Sequence, residues 1–250
     1  MNKTVLVTGA TAGIGKATAE LLAQHKFNLI ICGRRKDRLV SMQKSLETFT
    51  SVHIGSFDIR DKEAVSKFVA SLPTPFNKID VLINNAGNAH GLDEIHEGSI
   101  DDWEAMIDIN VKGLLYMSRA ISPQMVERKS GHIINIGSIA GKESYTKGNV
   151  YCGSKHAVDA INNGMRMDLF KYGVKVSQIC PGLVNTEFSD VRFKGDHSKS
   201  EAVYQGMTPL KAEDIAEIIH FVITRPKHVN ISDTIVLPLD QAASTMVHRQ

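Results

Sequence analysis

Short apolar runs rich in β-branched residues alternate along the chain with longer stretches of helical periodicity, and few folds accommodate that alternation. Strands are predicted at Thr4 to Val7, Asn28 to Cys32, Val52 to Phe57, Val81 to Ile83, His132 to Ile136, Val174 to Ile179 and Thr234 to Leu237. Helices are predicted near Ile14 to Gln24, Lys36 to Thr48, Lys62 to Ser71, Asp101 to Glu127, Val150 to Tyr172 and Ala212 to Thr224. Parallel strands need crossover connections, and helices are the usual ones, so the pattern predicts an α/β fold. Its form is a doubly wound sheet of about seven parallel strands with helices on both faces. At 250 residues, 42% of them hydrophobic, the chain can bury one substantial core, and 1–250 is read as a single domain. One connection breaks the rhythm. Residues 186–207 are polar, contain glycine and are weakly periodic, and a connection that long in a compact domain is usually functional, which makes it a candidate lid.

Charge and cysteine usage exclude several classes. The 29 basic and 27 acidic residues are spread along the sequence and leave a net charge of +2, with no footprint for nucleic acid or an anionic membrane. Cys32, Cys152 and Cys180 form neither a C-x-x-C pair nor an even framework, which points to free thiols in a reducing compartment, the cytoplasm by default. The N-terminal residues run straight into an apolar strand without a signal-like segment, and no apolar run reaches membrane-spanning length. The 10 histidines include no H-E-x-x-H or comparable ligand spacing, so no catalytic metal is expected.

The first strand ends in Thr8-Gly9-Ala10-Thr11-Ala12-Gly13-Ile14-Gly15, and a helix follows at once. Glycine lets the backbone turn tightly and approach a pyrophosphate, while a helix N-terminus offers it free N–H groups and partial positive charge. This is a Rossmann-like dinucleotide loop in the G-x-x-x-G-x-G spacing. The second strand then ends in Gly33-Arg34-Arg35, where an NAD-binding chain carries an acidic residue for the adenosine 2′-hydroxyl. A carboxylate repels a 2′-phosphate, whereas guanidinium groups bind it through charge-assisted hydrogen bonds, so Arg34 and Arg35 select NADP over NAD.

Tyr151 and Lys155 stand four residues apart in a helical segment and project from one face. Ser138 lies thirteen residues upstream of Tyr151, where a hydrophobic strand ends at the ligand-binding edge of an open sheet. A free phenol has a pKa of about 10, and bringing it near neutrality takes roughly 4 kcal/mol. An ammonium about 5 Å away, at an effective dielectric near 20, supplies about 3.3 kcal/mol, which assigns most of that work to Lys155. A positive nicotinamide ring would provide the remainder. Tyr151 then exchanges a proton with a substrate oxygen that Ser138 hydrogen-bonds.

The glycine loop, Asn84-Asn85-Ala86-Gly87 after the fourth strand, Asn110, Ser138, the Tyr151-x-x-x-Lys155 pair and Pro181-Gly182 followed by Thr186 resemble the short-chain dehydrogenase/reductase family over nearly the whole chain. The resemblance implies an NADP-dependent oxidoreductase with Asn110, Ser138, Tyr151 and Lys155 as catalytic residues. Asn110 would hold a water joining Lys155 to solvent. Cofactor contacts would come from Gly9, Thr11, Gly13, Ile14 and Gly15, from Arg34 and Arg35, and from Asp58 against the adenine. Asn85, Ala86 and Gly87 would line the ribose side, Tyr151 and Lys155 the nicotinamide ribose, and Pro181, Gly182, Val184 and Thr186 the carboxamide. Family members also pair long helices such as Asp101 to Glu127 and Val150 to Tyr172, which implies a homodimer or homotetramer.

A narrower similarity lies in Thr186 to Asp196, Pro226 to Ile231 and Val247 to Gln250, which resemble the NADP-dependent 3-hydroxy acid dehydrogenase group. That group includes serine and allo-threonine dehydrogenases and malonic semialdehyde reductases. A substrate carboxylate needs a cation, and Arg192 in the lid is the first candidate, unless it pairs with nearby Asp190 or Asp196. Two alternatives share parts of the pattern. A 3-oxoacyl carrier-protein reductase has the same catalytic residues, but Thr234 to Ala243 lacks the glycine pair usual there. A nonenzymatic NADPH sensor needs the phosphate loop but no acid/base relay.

Overall fold

A computed structural model describes residues 2–250. In chain order the strands are β1 (Thr4–Thr8), β2 (Asn28–Gly33), β3 (Val52–Ser56), β4 (Val81–Asn84), β5 (Gly131–Ile136), β6 (Val174–Pro181), β7 (Asp233–Val236), β8 (Gln241–Ala243) and β9 (Met246–Val247). The helices are α1 (Gly13–Gln24), α2 (Lys36–Leu46), α3 (Lys62–Ala70), α4 (Ile100–Ile107), α5 (Leu114–Glu127), α6 (Asn149–Leu169), α7 (Phe188–Arg192), α8 (His197–Ala202) and α9 (Ala212–Ile223). Seven strands form one parallel sheet in the order β3-β2-β1-β4-β5-β6-β7, so the chain reverses its direction of winding between β1 and β4. This is the Rossmann-like doubly wound fold, and the crevice beyond the carboxyl ends of β1 and β4 is its ligand position.

Alternation of side chains builds a core on each face. Val5, Val7, Leu29, Ile31, Val81, Ile83 and Ile134 pack with Leu22 of α1, Leu39 of α2 and Ile215 and Ile219 of α9. Leu6, Ile30, Leu82 and Ile133 point the other way and pack with Val65 of α3 and Met117, Ile121 and Met125 of α5. Local chemistry sets the helix starts. The Asp61 carboxylate accepts from the Ala64 N–H at 2.9 Å to cap α3, and the Asp214 carboxylate accepts from the Lys211 N–H at 2.7 Å to open α9.

Three regions differ from the periodicity. The predicted helix Asp101 to Glu127 is interrupted by a π-helical turn, Asp108–Gly113, between α4 and α5; an inserted residue barely disturbs hydrophobic spacing. Residues 186–207, the candidate lid, include α7 and α8, each too short to impose a period. The C-terminal hairpin β8-β9 was not foreseen, because two-to-three-residue strands leave no alternation to read.

One buried group gives the fold a pH dependence. His132 on β5 is 4% exposed, its Nε2 lies 2.8 Å from the Ser177 hydroxyl, and burial lowers its pKa from 6.5 to about 3. The native ring stays neutral where the unfolded ring already binds a proton, so its stabilising contribution is complete above pH 6.5 and is lost as pH falls toward 3. Between those limits the loss is about 1.4 kcal/mol per pH unit. Denaturant titrations from pH 7 to 4.5 should show a stability slope that is shallower by up to that amount in His132→Asn than in the wild type; equal slopes would refute the assignment.

Candidate active site

The crevice is shaped by contacts between the ends of β1 and β4. The Thr8 hydroxyl accepts from the backbone N–H groups of Asn85 and Ala86, both at 3.0 Å, and donates to the Ile83 carbonyl at 3.3 Å. The Asn85 side chain donates to the carbonyls of Thr8 at 2.8 Å and Gly9 at 3.2 Å. So close an approach leaves no room for a Cβ. At Gly9, where φ is +64°, a Cβ would stand 2.9 Å from the Ala86 Cα, and at Gly15 one would stand 2.4 Å from the Asn85 Nδ2 and 2.5 Å from the Gly9 carbonyl oxygen. The following helix, α1, begins after Ala12 with no side-chain cap and no acidic residue in its first turn, so its N–H groups face the crevice uncommitted.

A continuous cavity of about 720 Å³ runs from this loop to α6 and the lid. It is lined by Gly9, Thr11, Gly13, Ile14, Arg34, Arg35, Asp58, Asn85, Ala86, Gly87, Ser138, Tyr151, Lys155, Pro181, Gly182, Val184, Thr186 and Arg192, which brings together the residues singled out in the sequence. Gly15 and Asn110 are outside the lining, and both act through neighbours. Gly15 lets α1 approach Asn85. Asn110, in the π-helical turn, accepts from the Asn88 N–H at 2.8 Å and donates to the Asn88 carbonyl at 2.9 Å and the Ser154 hydroxyl at 3.0 Å.

At one end the cavity is basic. Arg34 is half-exposed, with Asp58 3.8 Å away, while Asp58 is held more tightly by Arg60 at 2.7 Å. Hydrogen bonds from Arg60 keep the Asp58 carboxyl below its usual range despite partial burial. Arg35 donates to the Thr11 hydroxyl from Nε and Nη2, at 3.1 and 2.9 Å, and to Glu187 from Nη1 at 2.8 Å. Arg38, which the sequence did not single out, donates to the other Glu187 oxygen at 2.7 Å.

At the other end the polar groups are buried. Ser138 ends β5 and starts a 3₁₀ turn, accepting from the Ala140 N–H at 3.1 Å and donating to the Pro181 carbonyl at 3.5 Å. Tyr151 and Lys155 are 8% and 7% exposed. The Lys155 ammonium donates to the Ile136 carbonyl at 3.0 Å, and burial lowers its pKa to about 8. Burial raises the Tyr151 pKa, and the second phenol, Tyr145, adds to the rise; Arg192 and the Ser138 hydroxyl oppose it. Arg192 is a second cation beside the phenol, its guanidinium carbon 5.0 Å from the Tyr151 ring centre.

Arg192 takes neither acidic partner that its sequence neighbourhood offers. Asp190 accepts from the Ser200 hydroxyl at 2.5 Å and faces His197, and Asp196 pairs with Lys199 at 3.1 Å. Arg192 instead donates from Nη2 to the Tyr145 hydroxyl at 2.6 Å, packs beside Phe188, and keeps its Nε buried without an acceptor. Tyr145 and Gln241, which sequence reading missed, line the cavity, as do Phe188, Val247 and Arg249 from the segments that carry the narrower resemblance. An aromatic residue in a loop, such as Tyr145, carries no spacing signal. Gln241 is nevertheless buried, and its Oε1 accepts from the Leu183 N–H at 2.8 Å, holding the turn after β6.

The family model described as short chain dehydrogenase matches residues 3–196. The chain belongs to the short chain dehydrogenase family. Among similar proteins, the NADP-dependent 3-hydroxy acid dehydrogenase YdfG of Escherichia coli K12 is 46% identical over 248 residues, covering 98% of this chain and 99% of that one. The serine 3-dehydrogenase of Rhizobium radiobacter is 41% identical over 251 residues and all of both chains. A solved closed form of serine dehydrogenase complexed with NADP+ superposes with a TM-score of 0.93 at 45% identity, covering 99% of this chain and all of that one. This family member therefore shares its fold with that serine dehydrogenase over 99% of its length.

The clasp at the phosphate loop has a steric test. Gly15→Ala forces a Cβ into backbone at 2.5 Å, so the loop must open. The variant should unfold with at least about 1–3 kcal/mol less stability and bind dinucleotide poorly in a fluorescence titration. Wild-type stability and affinity together would show that the approach is not constrained.

Proposed function

We propose that this chain is an NADP-dependent dehydrogenase that interconverts a 3-hydroxy acid, such as serine, allo-threonine or 3-hydroxypropionate, with its 3-oxo counterpart. The observation that carries the substrate class is Arg192, a guanidinium in the cavity wall, above the Tyr151 ring, with no carboxylate partner and a buried Nε still to be satisfied. A buried cation in that state favours an anion, and a carboxylate two carbons from the reacting carbon answers that need. The relatives named as 3-hydroxy acid and serine dehydrogenases support the same class. A carrier-borne 3-oxoacyl thioester offers no carboxylate for Arg192, and a nonenzymatic sensor has no use for the buried Ser138, Tyr151, Lys155 and Asn110.

The residues present fit NADP. The uncapped start of α1 and the close backbone at Gly9 and Gly13 suit a pyrophosphate, half-exposed Arg34 with Arg35 suits a 2′-phosphate, and the wall from Pro181 to Thr186 suits the carboxamide. When bound, the dinucleotide supplies or accepts the hydride. The protein supplies the proton and the orientation. With its pKa raised, Tyr151 is a neutral phenol at physiological pH and gives its proton to the carbonyl oxygen in reduction; the reverse transfer serves oxidation. Ser138 hydrogen-bonds that oxygen as charge develops on it. Lys155 would hold ribose hydroxyls and favour the phenolate once oxidation begins. Asn110 fixes Asn88 and Ser154 beside Lys155 and would hold the water through which the proton returns.

Leu115 on α5 and Met167 and Phe170 at the end of α6 are exposed apolar groups that a second copy would cover, which supports a homodimer or homotetramer. The three thiols are free and buried, in keeping with the cytoplasm. Among the described residues no helix is long and apolar enough to cross a membrane.

Two kinetic comparisons test the reading. Arg34→Asp should lower the ratio of kcat/KM for NADP over NAD by roughly ten-fold or more, and an unchanged ratio would remove Arg34 from cofactor selection. Arg192→Ala should lower kcat/KM for 3-hydroxy acids by about 10- to 100-fold more than for an uncharged alcohol, whose smaller loss reports the effect of Arg192 on the Tyr151 phenol alone. Equal losses for both substrates, or a wild type that oxidises no 3-hydroxy acid, would overturn the substrate class.

A further inference from the structure

The Glu187 carboxylate spans a gap between three segments distant in sequence. One oxygen accepts from Arg35 at 2.8 Å and the other from Arg38 at 2.7 Å, and Arg35 is itself tied to Thr11 in the glycine loop. Glu187 is the residue immediately before α7, and Thr11, Arg35 and Glu187 all line the cavity. Residue by residue, the line of contacts runs from the phosphate loop through the end of β2 and the start of α2 to the root of the lid. The far end of α7 is pinned separately, where the Arg192 carbonyl accepts from the Gly91 N–H at 3.0 Å.

What α7 carries makes its placement matter. Phe188 and Arg192 both face the Tyr151 ring, with ring centres 5.7 Å apart for Phe188 and the guanidinium at 5.0 Å for Arg192. A shift at the root of a five-residue helix moves both groups relative to the phenol. Partial burial works against ionisation of Glu187, but hydrogen bonds from Arg35 and Arg38 hold its pKa below the usual carboxylate range, so the contact persists through neutral pH. Arg35 has its Nε, Nη1 and Nη2 engaged in this network, which leaves the half-exposed Arg34 as the freer guanidinium at the basic end.

We propose that Glu187 is a positioning residue that latches the root of the lid to Arg35 and Arg38 across the dinucleotide groove, so that one contact both retains NADP and sets Phe188 and Arg192 over Tyr151. The inference rests on the reading of this cavity as an NADP site. It couples the residues that select the 2′-phosphate to those that meet the substrate. Glu187 thereby becomes a determinant of cofactor residence as well as of substrate orientation.

Arg38 provides the cleanest test, because it lies outside the cavity wall and its removal deletes no ligand contact. NADPH release would be followed by fluorescence chase, and lid opening by trypsin cleavage after Arg192, Lys194 or Lys199 in the NADPH complex, for Arg38→Ala, Glu187→Gln and the double variant. The half-exposed ion pairs predict release and cleavage about five-fold faster in each single variant, with the double variant no faster than the quicker single. Unchanged rates in both singles, additive effects in the double, or slower release from Glu187→Gln would overturn the latch; slower release would mean that the carboxylate competes with the phosphate. A wild type that binds no NADPH would sink the cofactor reading and the latch together. Because neither readout involves a substrate, faster release in the variants alongside no oxidation of any 3-hydroxy acid would support the latch while removing the substrate reading.

Discussion

The Thr8 hydroxyl holds the switch point of the sheet together. By accepting from two successive N–H groups after β4 and donating to a β4 carbonyl, it fixes the distance between the ends of β1 and β4, and Asn85 returns the contact from the other side. The glycine pattern follows from that spacing, since the room left at positions 9 and 15 is smaller than a methyl group. The loop is thereby held before any ligand arrives, and α1 starts at the crevice with no side-chain cap among the described residues. Preorganisation of this kind removes an ordering cost from binding, which matters for a flexible dinucleotide.

At the other end of the cavity the governing quantity is burial. A low-dielectric wall lowers Lys155 to about 8 and raises Tyr151, so both groups move away from their charged forms. A site made from this pair alone would resist the ionisation that oxidation requires. Arg192 opposes that tendency from the lid, which means that the electrostatics of the phenol depend on where a surface element sits. On the proposed reading, segment 186–207 is part of the acid/base apparatus as well as a cover, and the geometry of its root acquires a chemical consequence.

Much of this was legible in the sequence, for reasons that can be named. The central strands are readable because they are buried on both faces and largely apolar, as Leu29 to Cys32 illustrates. The phosphate loop, Arg34, Ser138 and the Tyr151 and Lys155 pair sit at strand ends or at fixed helical spacing, so local pattern placed them in the cavity. The π-helical turn at Asn110 was invisible because one extra residue leaves apolar spacing nearly intact. Tyr145 and Gln241 were missed because they reach the site from loops and a short hairpin, where position depends on tertiary contacts such as Arg192 on Tyr145 and Leu183 on Gln241.

The lid shows how a segment can look structureless and still be specified. Its polar composition suggests a loop, yet three of its four acids have an assigned partner, Glu187 on two arginines, Asp190 on Ser200 and Asp196 on Lys199, while Glu201 is exposed. With those acids engaged, Arg192 is the charged group of α7 that the segment leaves without an opposite charge. Scattered charges of both signs would ordinarily pair indiscriminately, because surface ion pairs are weak and interchangeable. Here the pairing leaves out the one cation that points inward, and the tyrosine that Arg192 meets is neutral and can accept a hydrogen bond without cancelling its charge. The charge is thus delivered to the cavity intact, beside the phenol whose ionisation it favours.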